Sequence, residues 1–157
     1  MRCLVDSNVL LRSVQPSHAM YGHATHALAA LPANGNELVI VAQNLIEFWA
    51  VATRPIVNNG LGITTSDAAN ELTKLKRLFT VLPETEDILP RWEQLVVKYD
   101  VIDKQSHDAR LVAVMIVHNA THLLTFNDAH FKRFTQIVTI NPQDMATPGF
   151  AQDLLPR

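Results

Sequence analysis

The chain has 157 residues, which suits a single domain whose core needs neither disulfides nor a structural metal. Hydrophobic residues make up 48% and charged residues 18%, a balance that excludes a disordered protein. The net charge of −2 excludes nucleic-acid binding through bulk positive charge, so any such contact must depend on local basic residues. The apolar runs are shorter than the ~20 residues that span a membrane, and Asp6 interrupts the first of them. We therefore expect a soluble, cytoplasmic protein without a secretion signal.

Short apolar segments rich in Val, Ile and Leu alternate with longer segments whose apolar residues recur at helical spacing. The four or five short segments predict strands at residues 3–5, 38–41, 79–82, 122–125 and 137–140. The longer segments predict helices at residues 24–31, 45–53, 68–78, 88–99 and 109–118, and Ser66 is expected to be the N-cap of the third. Strands that are short and apolar throughout are typical of a parallel sheet buried on both faces. The sequence therefore predicts an α/β three-layer sandwich with a central, mostly parallel four- or five-stranded sheet flanked by helices.

One domain is expected over residues 1–142, because no linker or internal repeat interrupts the pattern. Residues 143–157, which include Pro148, Gly149 and Pro156, are expected to form a loosely packed tail or a partner-binding extension, not a separate domain. The single cysteine, Cys3, lies in an apolar run and is expected to be a buried, inert thiol.

Two acidic residues follow the first two predicted strands. Asp6 comes directly after the first strand, where it either caps a helix beginning near Ser7 or serves as a ligand at the edge of the core. Glu47 lies on a helix that is otherwise almost wholly apolar. Its spacing from Asn44 is that of a capping box, which by itself is a sufficient explanation.

Two further acids belong to the second half of the chain. Asp108 lies in the first turn of a helix that Ser106 is placed to cap, a position that the helix dipole favours. Asp128 follows the fourth strand beside Asn127, and such a pair is common in turns. Each acid therefore has a local structural explanation.

The joint placement of the four acids favours a functional interpretation. In an open parallel sheet the residues that follow the strands meet at one edge, so Asp6, Glu47, Asp108 and Asp128 are expected to converge. Clustered carboxylates raise one another's pKa unless a cation neutralises them. Oxygen ligands suit Mg²⁺ or Mn²⁺, and the sequence contains no His/Cys cluster with zinc-like spacing.

At these residues the sequence resembles the PIN-domain family, in particular the VapC-like toxin ribonucleases of bacterial toxin–antitoxin pairs. The segment LVDSNVLLR is similar to the family's opening strand and first acid, with Ser7 and Asn8 at its usual small-polar and Asn positions. The segment NLIE, which ends at Glu47, resembles the one that carries the second acid. The segment HDARLVA resembles the third motif, and the similarity spans nearly the whole chain.

The resemblance implies an endoribonuclease that hydrolyses RNA with one or two Mg²⁺ or Mn²⁺ ions, a cognate antitoxin protein and a homodimer. On this basis the principal metal ligands are Asp6 and Asp108, Glu47 is a ligand or a base that orients water, and Asp128 serves a second ion or its water. The residues expected to hold these carboxylates or the phosphate by hydrogen bonds are Ser7, Asn8, Thr125, Asn127 and Arg110.

The fourth motif departs from the family's pattern. The segment LLTFN matches through Thr125 and Asn127, but similar proteins often carry an acid immediately before the aromatic residue, where this chain has His130 before Phe131. Asp128 is the only acid nearby and is therefore expected to take the missing role.

Two other functions are compatible with parts of the sequence. An aspartyl-phosphate phosphatase also places an Asp after its first strand, but it typically needs a second Asp where Asn8 stands, and an amide cannot act as the general acid. A degenerate PIN scaffold would bind RNA or a protein partner without cleavage, and the altered fourth motif keeps this alternative open.

Overall fold

A computed structural model describes residues 1–146 of the chain. Its strands are β1 (Arg2–Val5), β2 (Glu37–Ile40), β3 (Thr80–Val81), β4 (His122–Leu124) and β5 (Val138–Ile140). They form one five-stranded sheet in the order β3-β2-β1-β4-β5, and each neighbouring pair is parallel. The predicted fold class is therefore confirmed, with the number of strands at the upper end of the expected range.

Six α-helices flank the sheet in the described residues: α1 (Ser7–Ser13), α2 (Tyr21–Ala33), α3 (Ala42–Thr53), α4 (Thr65–Leu78), α5 (Ile88–Lys98) and α6 (Gln105–Val117). The five predicted helices correspond to α2–α6, and four of them begin three or four residues earlier than expected. Polar residues such as Gln43 and Ser106 occupy these first turns, where apolar periodicity gives no signal. Helix α1 has no periodic signal of its own in the sequence, and it is the helix beginning near Ser7 that Asp6 caps.

The core consists of two apolar layers, one on each face of the sheet. Alternate residues of a strand point to opposite faces, so Cys3 and Val5 pack in the layer that α1–α4 cover. Leu4 packs in the other layer, against residues of α5 and α6. Cys3 is buried, as expected, and burial raises the pKa of its thiol to about 12, which favours the protonated, unreactive form.

The strand order creates a crevice at the carboxyl end of the sheet. After β1 the chain builds the sheet outward on one side through β2 and β3, and then returns to add β4 and β5 on the other side. The change of direction lies between β1 and β4, which is where open α/β sheets bind their ligands. Asp6 directly follows β1 and Thr125 directly follows β4, so both lie at this point.

Three of the predicted helix caps are wrong. Thr64, not Ser66, is the N-cap of α4, and its hydroxyl accepts a hydrogen bond from the Asp67 N–H at 3.1 Å. Ser106 lies inside α6, where its hydroxyl donates to the Asp103 carbonyl. Asn44 accepts from the Val41 N–H at 2.9 Å, a contact in which Glu47 takes no part. Glu47 is thus left free for other contacts.

The predicted boundary between domain and tail falls near the end of the described residues. A short 3-10 helix at Asp144–Ala146 follows β5, and Met145 packs against the core layer of α1–α4. The rest of the predicted tail, with Pro148, Gly149 and Pro156, lies outside the described residues. Among the helices of residues 1–146, none is long and apolar enough to cross a membrane.

Candidate functional site

Asp6 lies at the centre of the crevice with only 7% of its surface exposed. It is the N-cap of α1, and its Oδ1 accepts from the Ser7 N–H at 2.7 Å. Its Oδ2 accepts from the Thr125 hydroxyl at 2.8 Å and from the Asn8 amide at 3.3 Å. Asp6 is therefore both the helix cap and a buried acid, because the turn from β1 into α1 places its carboxylate at the helix end and at the sheet edge. These donors fix the orientation of the carboxylate.

Glu47 is connected to Asp6 through Ser7. The Ser7 hydroxyl donates to Glu47 Oε2 at 2.8 Å and lies 3.4 Å from Asp6 Oδ1. The Gln43 amide, one turn earlier on α3, donates to Glu47 Oε1 at 2.9 Å. Both oxygens of Glu47 are thus held by neutral donors, and no basic side chain supplies these contacts.

Asp108 lies near the beginning of α6 and is half-buried. Burial raises its pKa above the ordinary range, and the negative charge of Glu47 raises it further, while His130 opposes the shift. The His130 Nδ1 lies 3.7 Å from Asp108 Oδ2. The imidazole therefore stands beside the third acid, at the position where the sequence resemblance would have placed a carboxylate.

The electrostatics of Asp6 show how crowded the three acids are. Burial raises the pKa of Asp6 from its ordinary value of 3.8 to about 6, although the hydrogen bond from Thr125 opposes this. The charges of Glu47 and Asp108 raise the pKa further, so all three carboxylates interact through space. The expected convergence of Asp6, Glu47 and Asp108 is therefore seen in the structure.

Asp128 makes a different contact. It begins the short 3-10 helix Asp128–Phe131, and its Oδ1 accepts from the Asn141 amide at 2.9 Å, on the segment after β5. Asn127 lies just before it and donates its N–H to the Thr125 hydroxyl at 3.0 Å. The described contacts thus join Asn127 to the site through Thr125, whereas Asp128 bonds away from the three acids. The sequence could not reveal Asn141, because that contact bridges two loops.

Arg110, expected at the phosphate, is held by protein groups. Its guanidinium donates to Gln43 Oε1 at 3.2 Å and forms an ion pair with Glu84. Gln43 also donates to the His107 carbonyl at 3.0 Å, so this one side chain joins α3 to α6. Sequence reasoning missed Gln43, although its spacing of four residues from Glu47 on a helix is a recognised contact signal.

The donor chemistry of the site fits a hard divalent cation. Asp6, Glu47 and Asp108 offer carboxylate oxygens, which Mg²⁺ and Mn²⁺ prefer. Burial is the main cause of the raised pKa of Asp6, and the charges of Glu47 and Asp108 add to it, so a bound cation would favour the ionised form. Within residues 1–146, no three His, Cys, Asp or Glu side chains lie close enough to enclose an ion by themselves. A cation bound here would therefore need water or substrate oxygens among its ligands, as Mg²⁺ usually does.

Comparison with known proteins places this geometry in context. A family model described as "PIN domain" matches residues 3–136. A search of curated protein sequences finds no match. VapBC2 from Rickettsia felis, bound to a DNA fragment from its promoter, is similar in structure with a TM-score of 0.67 at 16% identity, covering 90% of this chain and 98% of that one.

Two further solved structures have similar folds. VapBC-1 from nontypeable Haemophilus influenzae gives a TM-score of 0.66 at 17% identity and covers 91% of this chain and 99% of that one. VapC20 from Mycobacterium tuberculosis, described as a sarcin-ricin loop cleaving toxin, gives a TM-score of 0.65 at 18% identity. The match covers 84% of this chain and 95% of that one. Because the sequence identities to these three structures are only 16–18%, the similarity shows a shared fold.

The raised pKa of Asp6 predicts how stability depends on pH. Between its ordinary value of 3.8 and about 6 the folded state binds this proton more tightly than the unfolded chain, so the carboxylate costs stability as pH rises. Without divalent ions, the free energy of unfolding of Asp6→Asn relative to wild type should therefore increase from pH ~4 to pH ~7, by up to about 3 kcal/mol. Urea unfolding of both proteins measures the difference. A difference that stays constant across this pH range would contradict the prediction.

Proposed function

Because the chain belongs to the PIN-domain family, we propose that it is a Mg²⁺- or Mn²⁺-dependent endoribonuclease and the toxin of a toxin–antitoxin pair. The observation that carries the proposal is the buried Asp6 carboxylate, whose pKa is raised by burial and by the charges of Glu47 and Asp108. Keeping three acids together costs stability, which His130 beside Asp108 offsets only in part, and a cation offsets that cost when it binds.

In this proposal Asp6 and Asp108 are the principal ligands of the cation, and Glu47 is a further ligand or the base that orients the attacking water. A bound divalent ion would polarise the phosphodiester and lower the pKa of a water so that hydroxide attacks in line. No side chain is needed as a covalent nucleophile.

The surrounding polar residues orient the acids. Thr125 and Asn8 hold one oxygen of Asp6, and Ser7 bridges Asp6 to Glu47. Such contacts fix the direction of the oxygen lone pairs before the substrate arrives, which is the role of residues behind a metal's ligands. Asn127 supports Thr125 through its backbone. Asp128 accepts a hydrogen bond from Asn141, so in this proposal it is not a principal ligand.

The toxin role is supported by the kind of protein that shares this fold. The structures from Rickettsia felis and Haemophilus influenzae are VapBC proteins, and VapC20 is described as a toxin that cleaves the sarcin-ricin loop. By analogy we propose RNA as the substrate, an antitoxin protein as a partner and a homodimer as the assembly. Ile46, Ile56 and Val57 are large apolar residues with exposed side chains, which a protein partner would be able to cover.

Replacement of the two principal acids tests the activity. Asp6→Asn and Asp108→Asn should each lower Mn²⁺-dependent cleavage of mixed RNA by at least about a hundredfold, more than is usual for residues behind the ligands. The matched control is Asp100→Asn: Asp100 is exposed and has a φ of 46°, a conformation that Asn adopts readily. It should cleave like wild type.

The control also distinguishes this enzyme from a contaminant. All three variants are purified alike and their folds compared by circular dichroism before cleavage is measured. Equal cleavage by wild type, both site variants and the control would contradict the assignment of Asp6 and Asp108 as metal ligands. No cleavage by any of them, including wild type, would favour a degenerate scaffold that binds without cutting.

The altered fourth motif yields a second prediction. Asp128→Asn should retain near-wild-type cleavage and lose about 1 kcal/mol of stability, because it weakens a hydrogen bond to Asn141 and leaves the acid cluster intact. His130→Asp should increase cleavage, since it adds a carboxylate beside Asp108, and should lower the melting temperature without metal through added repulsion. If Asp128→Asn instead loses as much cleavage as Asp108→Asn, then Asp128 is the fourth acid after all.

A further inference from the structure

A cavity of about 360 Å³ lies beside the acid cluster, between the loop after β3 and the helices α5 and α6. Its volume is at the lower end of the roughly 300–1,000 Å³ typical of ligand pockets, so it suits a small ring system better than a folded segment of protein. The side chains that define it are Glu84, Ile88, Leu89, Trp92, His107 and Arg110. None of them is a proposed metal ligand.

The inner wall of the cavity is apolar and contains an aromatic ring. Ile88 is almost fully buried, whereas Leu89 is 60% exposed although it is a large apolar residue. The Trp92 indole is held in place because its Nε1 donates to the Ser106 carbonyl at 2.9 Å. Aromatic side chains are the surfaces on which unpaired bases stack in single-strand binding proteins, and Leu89 adds apolar surface beside this one.

The rim of the cavity is polar but close to neutral. Arg110 and Glu84 form an ion pair there, so their charges largely cancel. A phosphate would meet both the cation and the carboxylate, whereas a nucleobase carries both donors and acceptors at its edges and is able to use either. The lining therefore fits the base of a nucleotide better than its phosphate.

The cavity lies close to the proposed cleavage site. His107 and Arg110 line it from the same turns of α6 that carry Asp108. Gln43 accepts from Arg110 at 3.2 Å and donates to Glu47 at 2.9 Å, so one side chain separates the rim from a proposed ligand. When an RNA phosphate lies at the acids, a neighbouring base is thus able to reach the cavity.

We propose that this cavity binds one unpaired base of the RNA, adjacent to the phosphodiester that is cut, with Trp92 and Leu89 as its stacking surface. The inference rests on the proposed ribonuclease function, since it assigns the substrate that reaches the acids. An unstacked base requires RNA that is single-stranded or looped at the cut position.

Fluorescence of Trp92 tests the proposal without any cleavage. Trp49→Phe leaves Trp92 as the only tryptophan, and this protein is titrated with the four nucleoside 5′-monophosphates in EDTA. Ribose 5-phosphate is the control ligand, because it has the same sugar and phosphate but no base. At least one nucleotide should give a saturable change in emission, and ribose 5-phosphate should give none.

Two variants on α5, made in the Trp49→Phe protein, locate the binding. Leu89→Ala removes part of the wall and should weaken nucleotide binding by at least roughly threefold. This loss is smaller than the one expected from removing a stacked aromatic ring. Val97→Ala is the matched control, since Val97 is exposed on the same helix and does not line the cavity, and it should bind like the parent. Light absorbed by the nucleotide lowers the emission of all these proteins equally, so it does not cause a difference between the variants.

The outcomes separate this inference from the ribonuclease proposal. No response to any nucleotide, or equal weakening by Leu89→Ala and Val97→Ala, would overturn the base pocket even if the protein cleaves RNA. Nucleotide binding that depends on Leu89 in a protein that cuts no RNA would support the pocket and refute the nuclease. A response to ribose 5-phosphate equal to that of the nucleotides would assign the cavity to phosphate and contradict the proposal.

Discussion

The arrangement of the site depends on the burial of one carboxylate at the point where the sheet changes direction. Asp6 follows the central strand β1 directly, so it cannot move into solvent without disturbing the core that Leu4 and Val5 anchor. Donors from Ser7, Asn8 and Thr125 compensate the lost hydration only in part, and the pKa of Asp6 therefore remains raised to about 6. The fold thus keeps a destabilised negative charge that a cation is suited to neutralise.

The polar contacts that start at Asp6 extend outward across the molecule. Ser7 connects Asp6 to Glu47, Gln43 connects Glu47 to Arg110, and Arg110 is paired with Glu84 at the rim of the cavity. Two of these contacts join helices that are distant in sequence, namely α1 with α3 and α3 with α6. A substrate that touches the rim is therefore linked through hydrogen bonds to the groups proposed to hold the cation. This explains why a neutral residue, Gln43, is largely buried beside an acid.

The sequence predicted the sheet, the two-layer core and the meeting of Asp6, Glu47 and Asp108, because apolar periodicity and parallel topology determine where strand ends lie. It misplaced the caps at Ser66 and Ser106, since the helices begin in polar turns that carry no periodic signal. It could not reveal that Asp128 accepts a hydrogen bond from Asn141, a residue thirteen positions away. Contacts of that kind depend on tertiary packing. The roles of the site residues remain predictions.

The central claim is that these carboxylates form a divalent-cation site, and direct measurement of Mn²⁺ binding tests it without relying on any RNA. Isothermal calorimetry at neutral pH should detect binding to the wild type and to Asp100→Asn, and no comparable binding to Asp6→Asn. Mn²⁺ should also raise the melting temperature of the proteins that bind it, because an ion present at a hundred times its Kd increases the free energy of unfolding by about 2.7 kcal/mol. A wild-type protein that binds no Mn²⁺ or Mg²⁺ and melts at the same temperature with and without them would contradict the account.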